Sequence, residues 1–242
     1  MQRILAVGGG GFMMEDDPSP IDAYIRNLTG KQRPRICFIP TASGDLPAHI
    51  DKFYRTYEHL GCEPSHLCFF RQADRNAIPL SELGARLLEQ DAVFVGGGNT
   101  KSLLAVWREW QLDRILREAA ERGILLSGMS AGAICWFEAG LTDSFGGSLY
   151  RPLQCLGLLP GGCSVHHGGD ANRRPSLDAA LRSGTIPASI AIDDFAAAFY
   201  EGNALQQVVS WRPGATARHV AFEDGRLHET TLDAVSLRQA GK

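Results

Sequence analysis

The 242 residues carry 24 Lys and Arg against 27 Asp and Glu, a formal net charge of -3, with 44% hydrophobic and 21% charged residues. That length and balance describe one globular domain over residues 1–242 and exclude a disordered or fibrous chain. The slight negative charge gives no basic footprint for nucleic acid, and no run approaches the roughly 20 apolar residues of a membrane-spanning helix. The N-terminus lacks the charged-then-apolar layout of a secretory leader, and the six cysteines have no CxxC spacing. Reduced core thiols in a cytoplasmic protein are the expectation, with no metal and no cofactor.

In chain order, Arg3 to Val7 and Arg35 to Ile39 read as buried strands running into Gly8-Gly9-Gly10-Gly11 and Thr41-Ala42-Ser43-Gly44. Between them, Ile21, Tyr24, Ile25 and Leu28 recur at helical spacing and Gly30 can stop the helix, which makes a βαβ unit. The alternation continues with a helix over Ala48 to Leu60, a strand near His66 to Phe70 and a helix over Leu80 to Glu89. A strand at Ala92 to Val95 ends in Gly96-Gly97-Gly98-Asn99-Thr100, helical segments follow to Arg122, and Ile124 to Ser127 is the next strand. After Gly140 the texture changes to glycine-rich loops. Short runs at Ser189 to Ile192, Ala196 to Tyr200, Leu205 to Ser210, Ala217 to Phe222 and Arg226 to Thr231 then read as antiparallel strands. The fold class is α/β: a mostly parallel central sheet flanked by helices, with antiparallel strands in the C-terminal part.

In such sheets the sites form beyond the carboxyl ends of the strands. There Gly128-Met129-Ser130-Ala131-Gly132 supplies the GxSxG pattern between a strand and a helix expected over Ala131 to Glu138, with glycines that permit a strained turn presenting the Ser130 hydroxyl. A serine needs a base steadied by a carboxylate. His49, His59 and His66 suit solvated or core roles, and His219 and His228 lie in late strands. His166 and His167 sit in the glycine-rich segment Gly161 to Gly169, the better source of the base. For the acid, Asp143 lies past Gly140, where the chain can return to the site, and is preferred over Glu138; Asp170 is a further candidate, and Asp193 and Asp194 are more remote. The Gly96 to Thr100 segment has the form of an oxyanion or carboxylate cradle, with Asn99, Thr100 and His167 as substrate-binding candidates. Neither it nor the Gly8 to Gly11 run has the spacing of a nucleotide fingerprint, and the latter reads as a close-packed βα turn.

Through Phe94-Val95-Gly96-Gly97-Gly98-Asn99-Thr100, Gly128-Met129-Ser130-Ala131-Gly132-Ala133, and Leu158-Leu159-Pro160-Gly161 leading into His166, the sequence resembles the peptidase E (alpha-aspartyl dipeptidase) and cyanophycinase family of serine peptidases. The resemblance covers most of the chain and implies a class I glutamine amidotransferase-like fold. It implies Ser130 as nucleophile, His166 rather than His167 as base, and an oxyanion hole from the N–H groups of Gly98 and Ala131. The acid follows the nucleophile helix in this family, so Asp143 stands against Glu138. The expected activity is hydrolysis of short peptides by a dipeptidase or exopeptidase. The alternatives are a cyanophycinase-like or other amide hydrolase, and a catalytically silent ligand-binding module. The expected partner is a short peptide; a homodimer is allowed, and aspartyl specificity is not carried over, although Arg151, Arg173 and Arg174 flank the site loops.

Overall fold

The computed structural model describes residues 1–16, 18–70, 77–146 and 149–237. Its first half runs β1 (Arg3–Val7), α1 (Pro20–Leu28), β2 (Arg35–Ile39), α2 (Pro47–His59), β3 (Glu63–His66), α3 (Leu83–Leu87), β4 (Ala92–Val95), α4 (Thr100–Glu109), α5 (Leu112–Glu121), β5 (Leu125–Met129) and α6 (Ala131–Ile134). The second half is richer in strands: β6 (Phe137–Thr142), β7 (Arg151–Gln154), β8 (Leu159–Ser164), α7 (Arg173–Arg182), β9 (Ser189–Ile192), β10 (Ala196–Glu201), β11 (Ala204–Ser210), β12 (Ala217–Glu223), β13 (Arg226–Thr231) and β14 (Ala234–Ser236). No helix among the described residues is long and apolar enough to cross a membrane.

Two sheets form. The larger has the order β14-β11-β10-β1-β5-β4-β2-β3, with β1, β5, β4, β2 and β3 mutually parallel and β10 antiparallel to both β1 and β11. Of these, β1, β2 and β4 read as nearly continuous apolar runs because both of their faces are covered. On one face Phe12, Phe53 and Tyr57 pack on Phe38 and Phe94; on the other, α4 and α5 deliver Leu103, Leu104, Trp107 and Leu116. Each such side chain contributes about 1.5–3 kcal/mol of burial. The α1 start is fixed locally: Pro20 opens the helix, Ser19 Oγ accepts from Ile21 N, and Asp22 returns a carboxylate oxygen to Ser19 N.

The second sheet, β13-β12-β9-β8-β6-β7, is where the structure departs most from the sequence expectations. The expected helix over Ala131 to Glu138 ends at Ile134, because Cys135, Trp136 and Phe137 are all buried and Phe137 already pairs with Leu159 in the second sheet. The segment around Gly161 and Gly162, read as loop, belongs to β8. A Cβ on Gly162 would lie 2.2 Å from Ser189 Oγ, so glycine here serves close strand packing rather than a turn. Strand β7 and helix α7 were also hidden in what read as loop. In the first half, β3 lies earlier than the expected His66 to Phe70, its Glu63 to His66 pairing with β2, and the helix expected over Leu80 to Glu89 contracts to α3 after a 3-10 turn.

Candidate active site

The carboxyl ends of β1, β4, β5, β8 and β9 meet around Ser130. Ser130 follows β5 with φ 57° and ψ -114°, a conformation rare for a residue with a side chain and worth about 1–3 kcal/mol of strain. Two neighbours make the turn possible: a Cβ on Gly128 would lie 2.3 Å from Gly132 O, and one on Gly132 would lie 2.2 Å from Val95 O. The Ser130 N–H donates to Val7 O at 3.1 Å, and its carbonyl accepts from Ala133 and Ile134, which pins the elbow between β1 and α6.

His166 leaves the end of β8 with φ 52°. Its Nε2 lies 2.9 Å from Ser130 Oγ and its Nδ1 lies 2.5 Å from Asp194 Oδ1. With the Nδ1 proton donated to the carboxylate, Nε2 is left as acceptor for the serine hydroxyl. Asp194 comes from the end of β9, the parallel neighbour of β8, paired with it in the register Ser164↔Ala191. The pairing continues past the strands, since His167 N donates to Ile192 O at 3.1 Å. Phe195, next to the carboxylate, also has a positive φ of 61° and donates its N–H to Gly9 O at 2.7 Å.

The Gly8 to Gly11 run is the back wall of this pair. A Cβ on Gly9 would sit 2.0 Å from Asp194 Oδ1 and 2.9 Å from the His166 ring, so only glycine lets β1 approach. Beyond it, Trp211 packs edge-on against Phe195, Arg212 stacks 3.7 Å over the Phe195 ring, and Trp211 Nε1 donates to Glu15 Oε2. On the other side of Ser130, a Cβ on Gly97 would lie 3.2 Å from Ser130 Cβ. Gly98 has φ 139°, and a Cβ there would fall 2.2 Å from Ala42 O. The N–H groups of Gly98 and Ala131 have no acceptor among the described residues, although Gly96 N and Asn99 N on either side of the cradle bond to Ile39 O and Ala42 O. They are therefore available to an anionic oxygen beside Ser130.

Three expectations for this site are corrected. The carboxylate on His166 is Asp194 and not Asp143, which is exposed on the turn after β6; because α6 ends early, the chain enters β6 instead of returning to the histidine. Glu138 lies on that strand too and accepts from Gly161 N at 2.9 Å. Asn99 and Thr100 are engaged elsewhere: Asn99 Oδ1 caps α4 through Ser102 N, its amide donates to Ser144 O, and buried Thr100 bonds to Ser144 and Thr142. His167 is 3% exposed, and burial, with Arg174 and Arg218 nearby, holds it below the usual histidine range. Asp194 was the residue that position in the sequence concealed; the available signal was its place just past an apolar strand, on the edge where the other strand ends gather.

The thiols do not compete as nucleophiles. Cys135, the nearest in sequence to Ser130, is fully buried and burial pushes it well above the usual thiol range, while Cys37 is pushed up to about 12. Among the described residues no group of three or more His, Cys, Asp and Glu is arranged to hold a metal ion.

A model of peptidase family S51 matches residues 4–208. The Bacillus subtilis (strain 168) protein YgaJ, an uncharacterized peptidase, is 44% identical over 232 residues, covering 96% of this chain and 97% of that protein. An uncharacterized peptidase of Listeria monocytogenes, Lmo0363, is 31% identical over 110 residues, covering 45% of this chain and 49% of its own length. Among solved structures, a peptidase from an acI-B1 Actinobacterium superposes with a TM-score of 0.73 at 18% identity, covering 97% of this chain and 95% of that one.

Proposed function

Because this chain belongs to peptidase family S51 and is a serine-type peptidase, we propose that it cleaves short peptides through an acyl-enzyme on Ser130, with His166 as base and Asp194 as its orienting acid. The observation that carries the reading is the continuous chain from Ser130 Oγ through both ring nitrogens of His166 to Asp194. Ser130 Oγ attacks the scissile carbonyl as its proton passes to His166 Nε2. Asp194 steadies the imidazolium, and the oxyanion forms between the N–H groups of Gly98 and Ala131. His166 then gives its proton to the leaving amine. Water, deprotonated by the same nitrogen, releases the acid product and restores the serine.

The preference for short substrates rests on the shape of the rim. Gly9 abuts the His166 ring and Asp194 on one side of the site, and on the other Gly97 abuts Ser130, with the Sδ of the partly buried Met13 3.5 Å from Gly97 N. Walls this close to the nucleophile suit a chain end better than an extended internal segment, and a free terminus supplies binding energy that aligns the scissile bond. A fluorophosphonate should label Ser130 in wild type and not in Ser130→Ala, and a free short peptide should be cleaved faster than its terminally blocked form. An unlabelled Ser130 in folded protein would favour a silent ligand-binding module. Equal rates for free and blocked peptides, or ready cleavage of casein, would refute the short-peptide preference.

A further inference from the structure

Two aspartates stand side by side at the end of β9, and they are held in different ways. Asp194 meets His166, while Asp193 turns to β12: Arg218, on that strand, donates from Nη1 to Asp193 Oδ1 at 2.8 Å and to Oδ2 at 2.9 Å. The backbone closes around the same carboxylate. Thr216 N donates to Asp193 Oδ2 at 3.2 Å, and Asp193 N donates back to Thr216 O at 3.0 Å. The pair is largely withdrawn from water, with side-chain exposures of 19% for Arg218 and 10% for Asp193. Arg218 is itself braced, its Nε lying 3.3 Å from Glu229 Oε1, which also meets Arg174 at 3.1 Å.

The Asp193 carboxylate also touches the histidine loop, since a Cβ on Gly168 would lie 2.9 Å from Asp193 Oδ1. One ion pair thus ties together the strand end bearing Asp194, the loop bearing His166 and the neighbouring strand β12. One guanidinium nitrogen, Nη1, serves both Asp193 oxygens while Nε of the same plane is held by Glu229, so the group is fixed between two carboxylates in a way that a lysine ammonium, a single point charge, cannot reproduce. We propose that Arg218 and Asp193 form a positioning pair that sets the direction of the Asp194 carboxylate toward His166 Nδ1. This rests on the reading of Asp194 as the acid of the serine machinery. Neither Arg218 nor Asp193 takes part in proton transfer, because both oxygens of Asp193 are occupied.

The test compares Arg218→Lys and Asp193→Asn with wild type and with Asp194→Asn, using steady-state cleavage of a short peptide and the low-field proton resonance of the His166 Nδ1–H. Arg218→Lys keeps the charge and Asp193→Asn keeps the shape, so both variants can be checked for folding by circular dichroism before use. Asp194→Asn should remove the resonance and nearly all turnover. Both positioning variants should keep KM within about twofold, lose kcat on the order of tenfold or more, and shift or broaden the resonance. Folded variants with wild-type kcat and an unchanged resonance would overturn the positioning role while leaving the acid assignment intact. Wild-type turnover in Asp194→Asn would overturn the acid assignment and the positioning role with it.

Discussion

Ser130 and the His166–Asp194 pair belong to different sheets and are held by different means. The proposed nucleophile depends on short-range geometry: a strained φ at Ser130, glycines at 128 and 132 with no room for a Cβ, and a hydrogen bond to Val7 in the adjacent strand. The proposed base and acid depend on register, because His166 and Asp194 meet only when β8 and β9 pair in parallel with Ser164 opposite Ala191. One half of the site is therefore a property of a tight turn and the other a property of sheet assembly, and substitutions should fail differently in the two.

The largest separation is expected from the carboxylates. Asp194→Asn should lower kcat on the order of 10³–10⁴-fold, whereas Asp143→Asn should stay within about twofold of wild type. Peptide turnover by both purified variants decides this, and a crippled Asp143→Asn beside an active Asp194→Asn would reverse the assignment. On the first sheet, Gly98→Ala forces a Cβ toward Ala42 O at a φ of 139°. It should cost on the order of 10²-fold in kcat and lower the melting temperature, with far-UV circular dichroism still native in shape. Normal turnover there would mean that the cradle is packing alone.

The smallest effect should be one of stability rather than turnover. Asp22 supports the Gly8 to Gly11 wall from below, and burial raises its carboxyl to about 7, opposed by the N–H groups of Ser19 and Phe12. The folded state therefore keeps a proton that the unfolded chain releases from the ordinary value of 3.8 upward. Stability should fall as pH rises through that window toward about 7. Asp22→Asn should flatten this dependence between about pH 4 and about pH 7, read from urea midpoints, with kcat little changed. An identical slope in the variant would remove Asp22 as its source.

Legibility in the sequence follows the same division. The elbow at Ser130 and the Gly96 to Gly98 cradle could be found because their glycines report local backbone needs, and the parallel strands because their apolar runs are continuous. The glycines around it narrowed the base to His166 or His167, and the family resemblance chose His166. Asp194 could not be ranked from sequence spacing, since its relation to His166 exists only across a strand pairing, and closeness in sequence to Ser130 favoured Asp143 instead. The second sheet was obscured for a related reason. Gly140 and Gly162 look like loop residues but lie in strands, where a Cβ would strike Ile134 and Ser189.

The absence of a side chain at Gly9 also bears on when the site can come into being. Gly9 lies at the end of β1, which occupies the interior of the larger sheet between β5 and β10, and it abuts a carboxylate contributed by the ninth strand. Contacts so distant along the chain carry a high loop-closure cost and form late. During synthesis the serine elbow would emerge well before Asp194, and β1 would lack its β10 neighbour until β6 to β9 of the second sheet had been made. The Ser130–His166–Asp194 chain is thus coupled to completion of the fold, and a nascent chain stopped ahead of β9 carries Ser130 and His166 without the carboxylate that meets the histidine.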